Sequence, residues 1–519
     1  MNIPAAILLV LLLFLINPKV REILEKNIFS LKLINNINQI CIIFIIINTI
    51  ILIFLGLVYL SKNTYFDHIE PSVASIGWFF EYNKEIYSGY DDPERYALGH
   101  GPLVHLANYT FLKIFGPSIF SSKITAFVSL VLTFIVSFFS IKKVTKNNIL
   151  SFFLIGFMAM IFMTNAVVPI GVRNDSLSYL IISISIFLCS KKNSMFVTIL
   201  FGFLFFFQFN LKPHFMLSLL PPLFFYLQKE KNKFFINFIN ISFVSILLSI
   251  FLWSYFSNLS IKNYIFIINE IANNGFFINR FIDNFLFSLV WIIPILFFLL
   301  SYKKVNLDEK IFSIFIIIIS VIYAYLGSRR GGGIPIFFSL LPCIIFLFGK
   351  ILNKQKINNL KVFNFLFILT RLTIFLHSST KGIAKKINYL EENDLFNEKQ
   401  EIYRIIQNYK THTISMGFGS SHKGYLLSYL RPLLSYHKKN FIIDPPHLVE
   451  TIDNFKISDT TLASIKSCQI EYIILPKNEN AYGIKPWTIE IFDKQFIDSF
   501  YSKFERVDTF DYFEIWKCN

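Results

Sequence analysis

Tyr65-Phe66-Asp67-His68-Ile69-Glu70-Pro71 is the stretch from which the organisation of the chain can be worked out, because it follows an apolar segment and opens a long polar loop. The apolar segment runs from Ile40 to Leu60 and is long enough to span a membrane. Pro71 disfavours helical backbone at Glu70 and suits the first turn of a helix, so we expect a helix that begins at Pro71. Asp67 and Glu70 should then lie together at the start of that helix, near the boundary between lipid and water.

The rest of the chain also indicates a membrane protein. Of its 519 residues, 54% are hydrophobic, and the mean hydropathy is +0.55. This composition excludes an ordinary soluble protein, and recurring apolar runs of roughly 20 residues predict an α-helical polytopic membrane protein with about 11–12 transmembrane helices. Besides Ile40–Leu60, the expected spans are Ile124–Ile141, Ile149–Asn165, Leu177–Cys189, Met195–Phe209, Phe215–Leu227, Phe234–Phe256, Phe285–Leu300, Ile311–Leu326, Ile334–Phe348 and Val362–Leu376.

The distribution of lysine and arginine agrees with the predicted membrane topology. The formal net charge is +16, but lysine and arginine are scattered through short loops between spans, which argues against a nucleic-acid partner. When the spans are followed in order, every lysine-rich turn falls on one side of the membrane, as the positive-inside rule requires. The opposite, outer side receives the Asp67 loop and the C-terminal tail. We therefore expect an integral protein of a bacterial inner membrane with an extracytoplasmic C-terminal domain.

The membrane domain is expected to cover residues 1–379, with a first extracytoplasmic loop at residues 61–117. Two segments of that loop, starting near Val73 and Leu103, repeat apolar residues at helical spacing and have polar opposite faces. We expect both to lie in the membrane interface. The short apolar segment from Ile3 to Ile16 could span the membrane or lie on its surface.

Residues 380–519 alternate short apolar runs with helical stretches, which predicts a small extracytoplasmic α/β domain whose last pieces form a hairpin. The expected strands are Thr413–Phe418, Phe441–Asp444, Tyr472–Leu475 and Phe513–Lys517, and the expected helices include Gly424–Tyr436 and Trp487–Tyr501.

Two features of this tail have a simple reading. Cys468 and Cys518 could pair if the domain lies in an oxidising compartment, whereas Cys41, Cys189 and Cys343 lie in apolar spans and read as packing residues. The segment Gly417-Phe418-Gly419-Ser420 follows a strand, but it lacks the third glycine of a nucleotide-binding turn, so we take it as a plain turn.

Asp67 and Glu70 are the first candidates for catalysis. Either they are solvated loop acids, with Glu70 capping the helix, or they are a general base and a partner that binds a metal or positions an acceptor. Carboxylates suit the activation of a hydroxyl for attack on an activated sugar, because a positioned base takes up the proton as the bond forms. Their place after the first long span favours the second interpretation. The histidines of this loop match no familiar ligand spacing, so the sequence leaves a divalent metal open.

The outer side also carries cations that could bind a phosphate. Arg173 and Asp175 flank one outer turn, although they could simply form a salt-bridged helix start. Lys212 ends a span, where it could instead snorkel to lipid headgroups. Arg329 and Arg330 precede three glycines, and a flexible backbone with two guanidiniums can hold a phosphate bidentately.

Arg371, inside the last expected span, reads equally well as a snorkelling residue or a further phosphate contact. Together the outward cations would surround the acidic pair with positive charge. A polyprenyl-phosphate sugar donor needs this arrangement, because its leaving phosphate requires cations and its attacked carbon requires an acceptor with a base.

Taken in order, these motifs resemble those of the GT-C superfamily of membrane glycosyltransferases, and most of all its protein O-mannosyltransferase and lipid A aminoarabinose transferase branch. The resemblance covers the membrane part up to about Leu376 and rests on Asp67 with Glu70-Pro71, Gly99-His100-Gly101-Pro102, Arg173-Asn174-Asp175-Ser176, Lys212-Pro213 and the loop at Arg329. It implies an inverting sugar transfer from a lipid-phosphate donor with a first-loop aspartate as the catalytic base, a role that carries over to Asp67. Many relatives have adjacent acids, whereas two residues separate Asp67 from Glu70, so either acid could be the base; the leading hypothesis takes Asp67 as the base and Glu70 as its assistant. His100 stands where relatives often carry a tyrosine and is therefore included among the expected substrate-binding residues.

The leading hypothesis is thus a glycosyltransferase that moves a sugar from a polyprenyl-phosphate-linked donor to a lipid, glycan or protein acceptor on the outer face of the inner membrane. The residues expected to bind the substrates are Arg173, Asp175, Lys212, Arg329, Arg330 and His100. The alternative is a non-enzymatic flippase of lipid-linked sugars that binds the same phosphate, and a polymerase or ligase of surface polysaccharide would share the chemistry. A transporter would be expected to show two similar halves and charges at mid-membrane, and neither pattern is present in the sequence.

Overall fold

The computed structural model of the chain describes residues 47–89, 91–192, 194–273, 275–301, 306–329, 331–354, 380–437, 440–451, 457–485 and 490–519. The expectations about residues 3–16, Val362–Leu376, Cys41, Arg330 and Arg371 lie outside the described residues.

The membrane part is a bundle of helices at the expected spans that the structure describes, although some bounds differ. Short 3₁₀ segments at Pro213–Leu219 and Ile334–Leu340 replace the starts of two expected helices, and the helix expected from Phe285 begins at Ile278. Among the described residues, five segments are long and apolar enough to cross a membrane: Ile119–Thr145, Pro213–Tyr255, Ile278–Leu296, Leu307–Leu326 and Ile334–Asn353. The helices of this part are α1 (Ile47–Ser61), α2 (Ile69–Gly77), α3 (Pro102–Phe115), α4 (Ile119–Thr145), α5 (Asn148–Met163), α6 (Val167–Ile170), α7 (Asn174–Cys189), α8 (Met195–Leu211), α9 (Leu220–Leu227), α10 (Phe234–Tyr255), α11 (Ile261–Asn273), α12 (Ile278–Ser301), α13 (Leu307–Leu326) and α14 (Leu341–Lys354). The polytopic helical fold is therefore confirmed.

The lysine-rich turns meet at one end of this bundle. Lys143 Nζ donates a hydrogen bond to Ser190 O at 3.2 Å, and Asn353 Nδ2 donates to Val144 O at 2.9 Å. The turns that follow α4, α7 and α14 are therefore neighbours, as the alternation of lysine-rich loops predicts. The loop between α1 and α4, which carries Asp67, lies at the other end.

The first helix of that loop begins earlier than the sequence suggested. α2 starts at Ile69 rather than Pro71, so Glu70 is its second residue. Asp67, which precedes the N-cap residue His68, binds the first N–H of the helix, because Asp67 Oδ1 accepts a hydrogen bond from the Ile69 N–H at 2.9 Å. Pro71 is still within the first turn, where backbone N–H groups have no acceptor inside the helix, so the N–H that proline lacks costs no hydrogen bond.

The two loop helices also differ in exposure. Every residue of α2 from Glu70 to Gly77 is buried, so this helix is packed inside the protein instead of lying in the interface. α3 is buried at its start and exposes Ile114 and Phe115 at its end, by 66% and 58%. Only α3 thus presents the apolar outer face that was expected of both.

The C-terminal part forms a five-stranded sheet with the order β2-β1-β3-β5-β4, in which β1 runs parallel to β2 and β3, and β5 runs antiparallel to β3 and β4. Its elements are α15 (Thr380–Glu392), α16 (Phe396–Asn408), β1 (Ile414–Met416), α17 (His422–Leu427), α18 (Arg431–Ser435), β2 (Asn440–Phe441), α19 (Pro445–Thr451), α20 (Asp459–Lys466), β3 (Tyr472–Pro476), α21 (Lys494–Lys503), β4 (Phe504–Thr509) and β5 (Phe513–Cys518). The small α/β domain and its final hairpin were expected, although β4 was not predicted as a strand. Cys468 and Cys518 are joined by a disulfide bond.

The first loop is held between the bundle and this domain. Arg95 donates its backbone N–H to Ile442 O at 2.9 Å, and its carbonyl accepts the Asp444 N–H at 2.7 Å. The loop backbone therefore pairs with the chain just after β2, like a short extra strand at the edge of the sheet. The C-terminal domain is in this way part of the surroundings of the Asp67 loop.

Candidate active site

A cavity of about 890 Å³ opens at the end of the bundle that carries the first loop. Six of the residues predicted from the sequence line it: Asp67, His100, Arg173, Asp175, Lys212 and Arg329. Arg330 lies outside the described residues, and Glu70 is not part of the lining. Residues separated by more than 250 positions are thus gathered around one space, as the sequence-based hypothesis requires.

Asp67 presents its carboxylate to this cavity. Its Oδ2 accepts a hydrogen bond from Arg173 Nη1 at 2.9 Å, and its Oδ1 accepts the Ile69 N–H. Each carboxylate oxygen has two lone pairs, so each retains one that can accept a proton. The side chain is 22% exposed, which leaves it reachable from the cavity while two donors fix its orientation.

Glu70 lies behind Asp67 and is completely buried. Its Oε1 accepts the backbone N–H groups of Phe66 and Asp67 at 3.0 and 3.1 Å, and its Oε2 accepts the Val172 N–H at 2.8 Å and the Tyr59 hydroxyl. Burial, followed by the nearby Asp67 carboxylate, raises the pKa of Glu70 to about 7. With these four donors around it, Glu70 joins the Asp67 segment to the loop that carries Arg173.

Two close contacts support this arrangement. A Cβ on Gly171 would lie 3.0 Å from the Glu70 carboxyl carbon and 2.7 Å from Val167 O, so only glycine lets the Arg173 loop approach this closely. On the other side, Lys123 of α4 is fully buried, and its Nζ donates to Tyr59 O at 2.8 Å and to Lys62 O at 2.7 Å. The end of α1 that carries Tyr59 is therefore tied to α4.

Arg173 is the central cation of the site. It precedes α7 with extended backbone, which turns its side chain back toward the first loop. Its guanidinium lies between two carboxylates, with Nη1 2.9 Å from Asp67 Oδ2 and Nε 3.7 Å from Asp175 Oδ2. The salt-bridged helix start considered from the sequence is present, and it includes Asp67 as a third member.

Further cations line the cavity from other helices. Arg329 Nη1 donates to Ala272 O at 2.8 Å, at the end of α11, and Arg280 Nη1 donates to Arg329 O at 3.3 Å. Lys386 of α15 reaches the cavity from the C-terminal domain, and burial lowers its pKa. With Arg173 and Lys212, the described lining holds five cations against three carboxylates, those of Asp67, Asp175 and Asp283.

Sequence reasoning missed two of these cations. Arg280 lies near the start of a span at the cavity end of the bundle, which is the same signal that identified Arg173, so it could have been found. Lys386 follows the membrane domain by several residues and sits on a helix with several lysines. Nothing local distinguishes it from its neighbours, because only the packing of α15 against the first loop brings it to the cavity.

His100 lines the cavity wall near Lys212. Burial and the adjacent Lys212 lower the pKa of His100 well below its ordinary value, so its ring is neutral near pH 7. Its Nδ1 has no hydrogen-bond partner among the described residues. The next residue fixes its position, since a Cβ on Gly101 would lie 2.1 Å from Asn210 O and the Gly101 N–H donates to Leu211 O at 2.9 Å.

Two other sequence expectations concern ligands. In the part of the chain that the structure describes, no group of three or more His, Cys, Asp or Glu side chains is arranged to hold a metal ion. The Gly417–Ser420 segment follows β1, and two of its N–H groups are occupied: Gly417 donates to Ile474 O at 2.9 Å, and Ser420 donates to the Glu479 carboxylate at 2.8 Å.

Comparison with known proteins identifies the fold. Two crystal structures of ArnT from Cupriavidus metallidurans, one bound to undecaprenyl phosphate and one in the apo state, each match with a TM-score of 0.54. Each alignment covers 91% of this chain and 97% of that chain at 10% sequence identity. The chain therefore has the ArnT fold along nearly its whole length, which confirms the fold that the sequence resemblance implied. No protein-family model and no curated protein sequence matches the chain.

Proposed function

We propose that this chain is a membrane glycosyltransferase that moves a sugar from a polyprenyl-phosphate-linked donor to an acceptor at the outer face of the inner membrane. The observation that carries the proposal is the meeting of the Asp67 carboxylate with five cations in one cavity of about 890 Å³. A carboxylate next to a phosphate-binding surface is what a transfer from a sugar phosphate requires.

Asp67 is the general base of the proposed reaction. An acceptor hydroxyl attacks the anomeric carbon of the donor sugar, and Asp67 takes up the hydroxyl proton as the new C–O bond forms. The bond between the anomeric carbon and the phosphate oxygen breaks on the opposite side, so the configuration at that carbon is inverted. The polyprenyl phosphate leaves with one more negative charge than it had in the donor.

The cations stabilise that developing charge. Four cations line the cavity from different elements, namely Lys212, Arg280, Arg329 and Lys386. A phosphate inside the cavity can therefore meet positive charge from several directions. Arg173 is bonded to Asp67 and therefore holds the base and faces the phosphate at the same time. His100 offers a neutral ring to the substrate.

Glu70 assists by holding the loop. It is fully buried and outside the cavity lining, so the proton of the acceptor goes to Asp67 and not to Glu70. Its contacts with Phe66, Asp67 and Val172 keep the segment of the base and the segment of Arg173 at a fixed separation.

The lipid part of the donor is supported by comparison. One of the structures with the same fold is ArnT bound to undecaprenyl phosphate. The present cavity combines its cations with the apolar side chains of Ile268, Ile271 and Ile336, so it can receive a charged head attached to a long apolar chain.

The test is a transfer assay in native membranes with a radiolabelled polyprenyl-phosphate hexose. The wild type should move label into a stable product, and Asp67→Asn should lower the rate by roughly 10³-fold. Asp498→Asn is the matched control, because it makes the same change on an exposed face of α21, and it should transfer at the wild-type rate. Label that only crosses the bilayer, at equal rates in all three proteins, would identify a flippase and refute the proposal.

A further inference from the structure

The C-terminal domain inserts a buried ion pair next to the start of α2. Arg431, the first residue of α18, has its Nη2 3.0 Å from Asp444 Oδ1, and the two side chains are 7% and 1% exposed. Such a pair is expensive to bury unless its geometry is good and its remaining donors are satisfied. The partners of those donors therefore indicate what the pair is for.

Most of these partners belong to the first loop. Arg431 Nη2 lies 2.8 Å from the carbonyl oxygen of His68 and 2.8 Å from the hydroxyl of Ser72. Among the described residues of its own domain the guanidinium makes one further hydrogen bond, from Nη1 to Ser428 O at 3.1 Å, and its Nε has no partner there. The guanidinium thus reaches out of the domain to the residue that directly follows Asp67 and to the first turn of α2.

We propose that the Arg431–Asp444 pair positions the Asp67 carboxylate, so that the C-terminal domain is a working part of the active site. The catalytic side of this inference rests on the proposed function, with Asp67 as the base. Arg431 does not touch the cavity and acts through the loop, which makes it a positioning residue.

The geometry explains why this contact should matter for Asp67. Holding the carbonyl of His68 fixes the peptide plane between His68 and Ile69, and the Ile69 N–H on that plane donates to Asp67 Oδ1 at 2.9 Å. Glu70 holds the two N–H groups before this point, those of Phe66 and Asp67. Glu70 therefore holds the backbone up to Asp67, and Arg431 holds the backbone that follows it. A displacement of about 1 Å in a catalytic group can lower the rate by on the order of 10²-fold.

An ion pair that only stabilised the C-terminal domain would have other hydrogen-bond partners. If the pair only stabilised the domain, its donors would be expected to bind carbonyls within the domain. Some other contacts between the first loop and the domain lie away from Asp67. An example is the Tyr82 hydroxyl, which donates to Ser435 O of α18 at 3.2 Å.

The first experiment compares two deletions of one hydroxyl, each from the same loop and each in contact with α18. Ser72→Ala removes one partner of Arg431 together with the hydrogen bond that the Ser72 hydroxyl donates to His68 O at 3.3 Å, and it keeps both members of the ion pair. Tyr82→Phe removes the contact with Ser435. The Arg431 variants below therefore separate the Arg431 contact from the bond inside the loop. Hydrogen exchange of the peptide that covers residues 66–72 reports the loop without any assumption about activity. We expect Ser72→Ala to speed exchange there by roughly tenfold and Tyr82→Phe to leave it unchanged.

Transfer kinetics provide the second readout. Ser72→Ala should lower kcat by about three- to tenfold and leave KM for the donor unchanged, because it moves the base and not the cations. Arg431→Met should lower kcat by roughly 10²-fold, and Arg431→Lys should restore part of it by keeping the charge beside Asp444. Tyr82→Phe should match the wild type in both constants.

Each outcome decides between the two proposals. If Asp67→Asn abolishes transfer while Ser72→Ala and both Arg431 variants leave exchange and kcat unchanged, the positioning role is wrong and the proposed function stands. If the wild type transfers no sugar but Ser72→Ala still speeds exchange at residues 66–72, the contact is real and the proposed function is wrong. Should Arg431→Met fail to fold, Arg431→Lys still tests the idea, since it keeps a charge beside Asp444 while a single amine cannot make all of the guanidinium's contacts with His68, Ser72 and Ser428.

Discussion

At one end of the helical bundle the cations bind the ends of neighbouring helices, and at the other end they face a shared cavity. Lys229 donates to the carbonyls of Cys189 and Lys191, and Lys143 donates to Ser190 O, so these lysines satisfy carbonyl groups at the end of α7. Arg173, in contrast, contacts the Asp67 carboxylate on the wall of the cavity. A loop cation can therefore bind a helix end, face the cavity or, like Arg329, do both, and the cavity lining shows which cations can reach a ligand.

The comparison predicts that a cation at the cavity end is needed for activity and that one at the lysine-rich end is not. Arg173→Met removes both the partner of Asp67 and a cation from the cavity. We expect transfer to fall by roughly 10³-fold, which is the loss typical of a preorganised charge partner. The measurement is kcat/KM for the labelled donor in purified protein.

Lys229→Met is the matched control for Arg173→Met. It exchanges a cation for the same apolar side chain at the opposite end of the bundle and should keep transfer within about threefold of the wild type, because distant sites act independently. Equal losses in the two variants would mean that both ends matter only for folding, and the distinction drawn between them would fail.

The next largest effect is expected at Glu70. Glutamine keeps one acceptor oxygen but replaces the other with an amide NH₂, which cannot accept from Val172 or from the Phe66–Asp67 backbone. Transfer should fall by about 10²-fold through displacement of Asp67, and the free energy of unfolding should fall by about 1–3 kcal/mol. Glu309→Gln is the control, since Glu309 is a buried carboxylate 3.8 Å from Lys350 at the other end of the bundle. It should lose stability and keep transfer.

Glu70 should also make the stability of the protein depend on pH. Its pKa is raised from 4.5 to about 7 in the folded protein. The folded state therefore favours the protonated acid, and the stabilisation that this provides is complete below pH 4.5 and is lost as the pH rises to about 7. Thermal unfolding at several pH values should show wild-type Tm falling over this window relative to Glu70→Gln. Parallel curves for the two proteins would show that the fold does not shift this pKa.

A smaller effect is expected at Lys386, the cation supplied by the C-terminal domain. Lys386→Met should lower kcat/KM for the donor by about tenfold, which corresponds to the loss of one charged hydrogen bond to the phosphate. Lys385→Met is the matched control, because Lys385 is exposed on the same helix and is not part of the cavity lining. If both variants bind the donor as the wild type does, α15 takes no part in the site.

The sequence predicted the membrane helices and most of the charged residues of the cavity, but it did not predict the contacts that the C-terminal domain makes with the site. Hydrophobic length and lysine-rich turns located the membrane helices and separated the two ends, because both signals are local. Each of four cavity residues was predicted because it lies in a loop at the cavity end of a span, namely Asp67, Arg173, Lys212 and Arg329. His100 was predicted only through the family resemblance.

The missing part depends on tertiary contacts. The sequence placed Asp67 and Glu70 side by side, but only the approach of the Val172 backbone separates an accessible carboxylate from a buried one. Likewise, Arg431 and Lys386 carry no local signal, because they reach the site only through the docking of a domain that follows far along the chain. Such contacts have no period or spacing in the sequence.

The smallest effect on transfer is expected from the Cys468–Cys518 disulfide, which closes a loop with a sequence separation of 50. The bond joins the turn after α20 to the last strand, away from the cavity, so replacing both cysteines with serine should keep transfer within about threefold. The replacement should still lower the free energy of unfolding of the domain by about 2–4 kcal/mol.

The bond also tests which end of the bundle is outside, because disulfides persist in oxidising compartments and not in the cytoplasm. Both cysteines should resist alkylation in intact cells until a reductant is added. Free thiols in freshly lysed, untreated membranes would instead place the cavity end in the cytoplasm and reverse the assignment of the two ends.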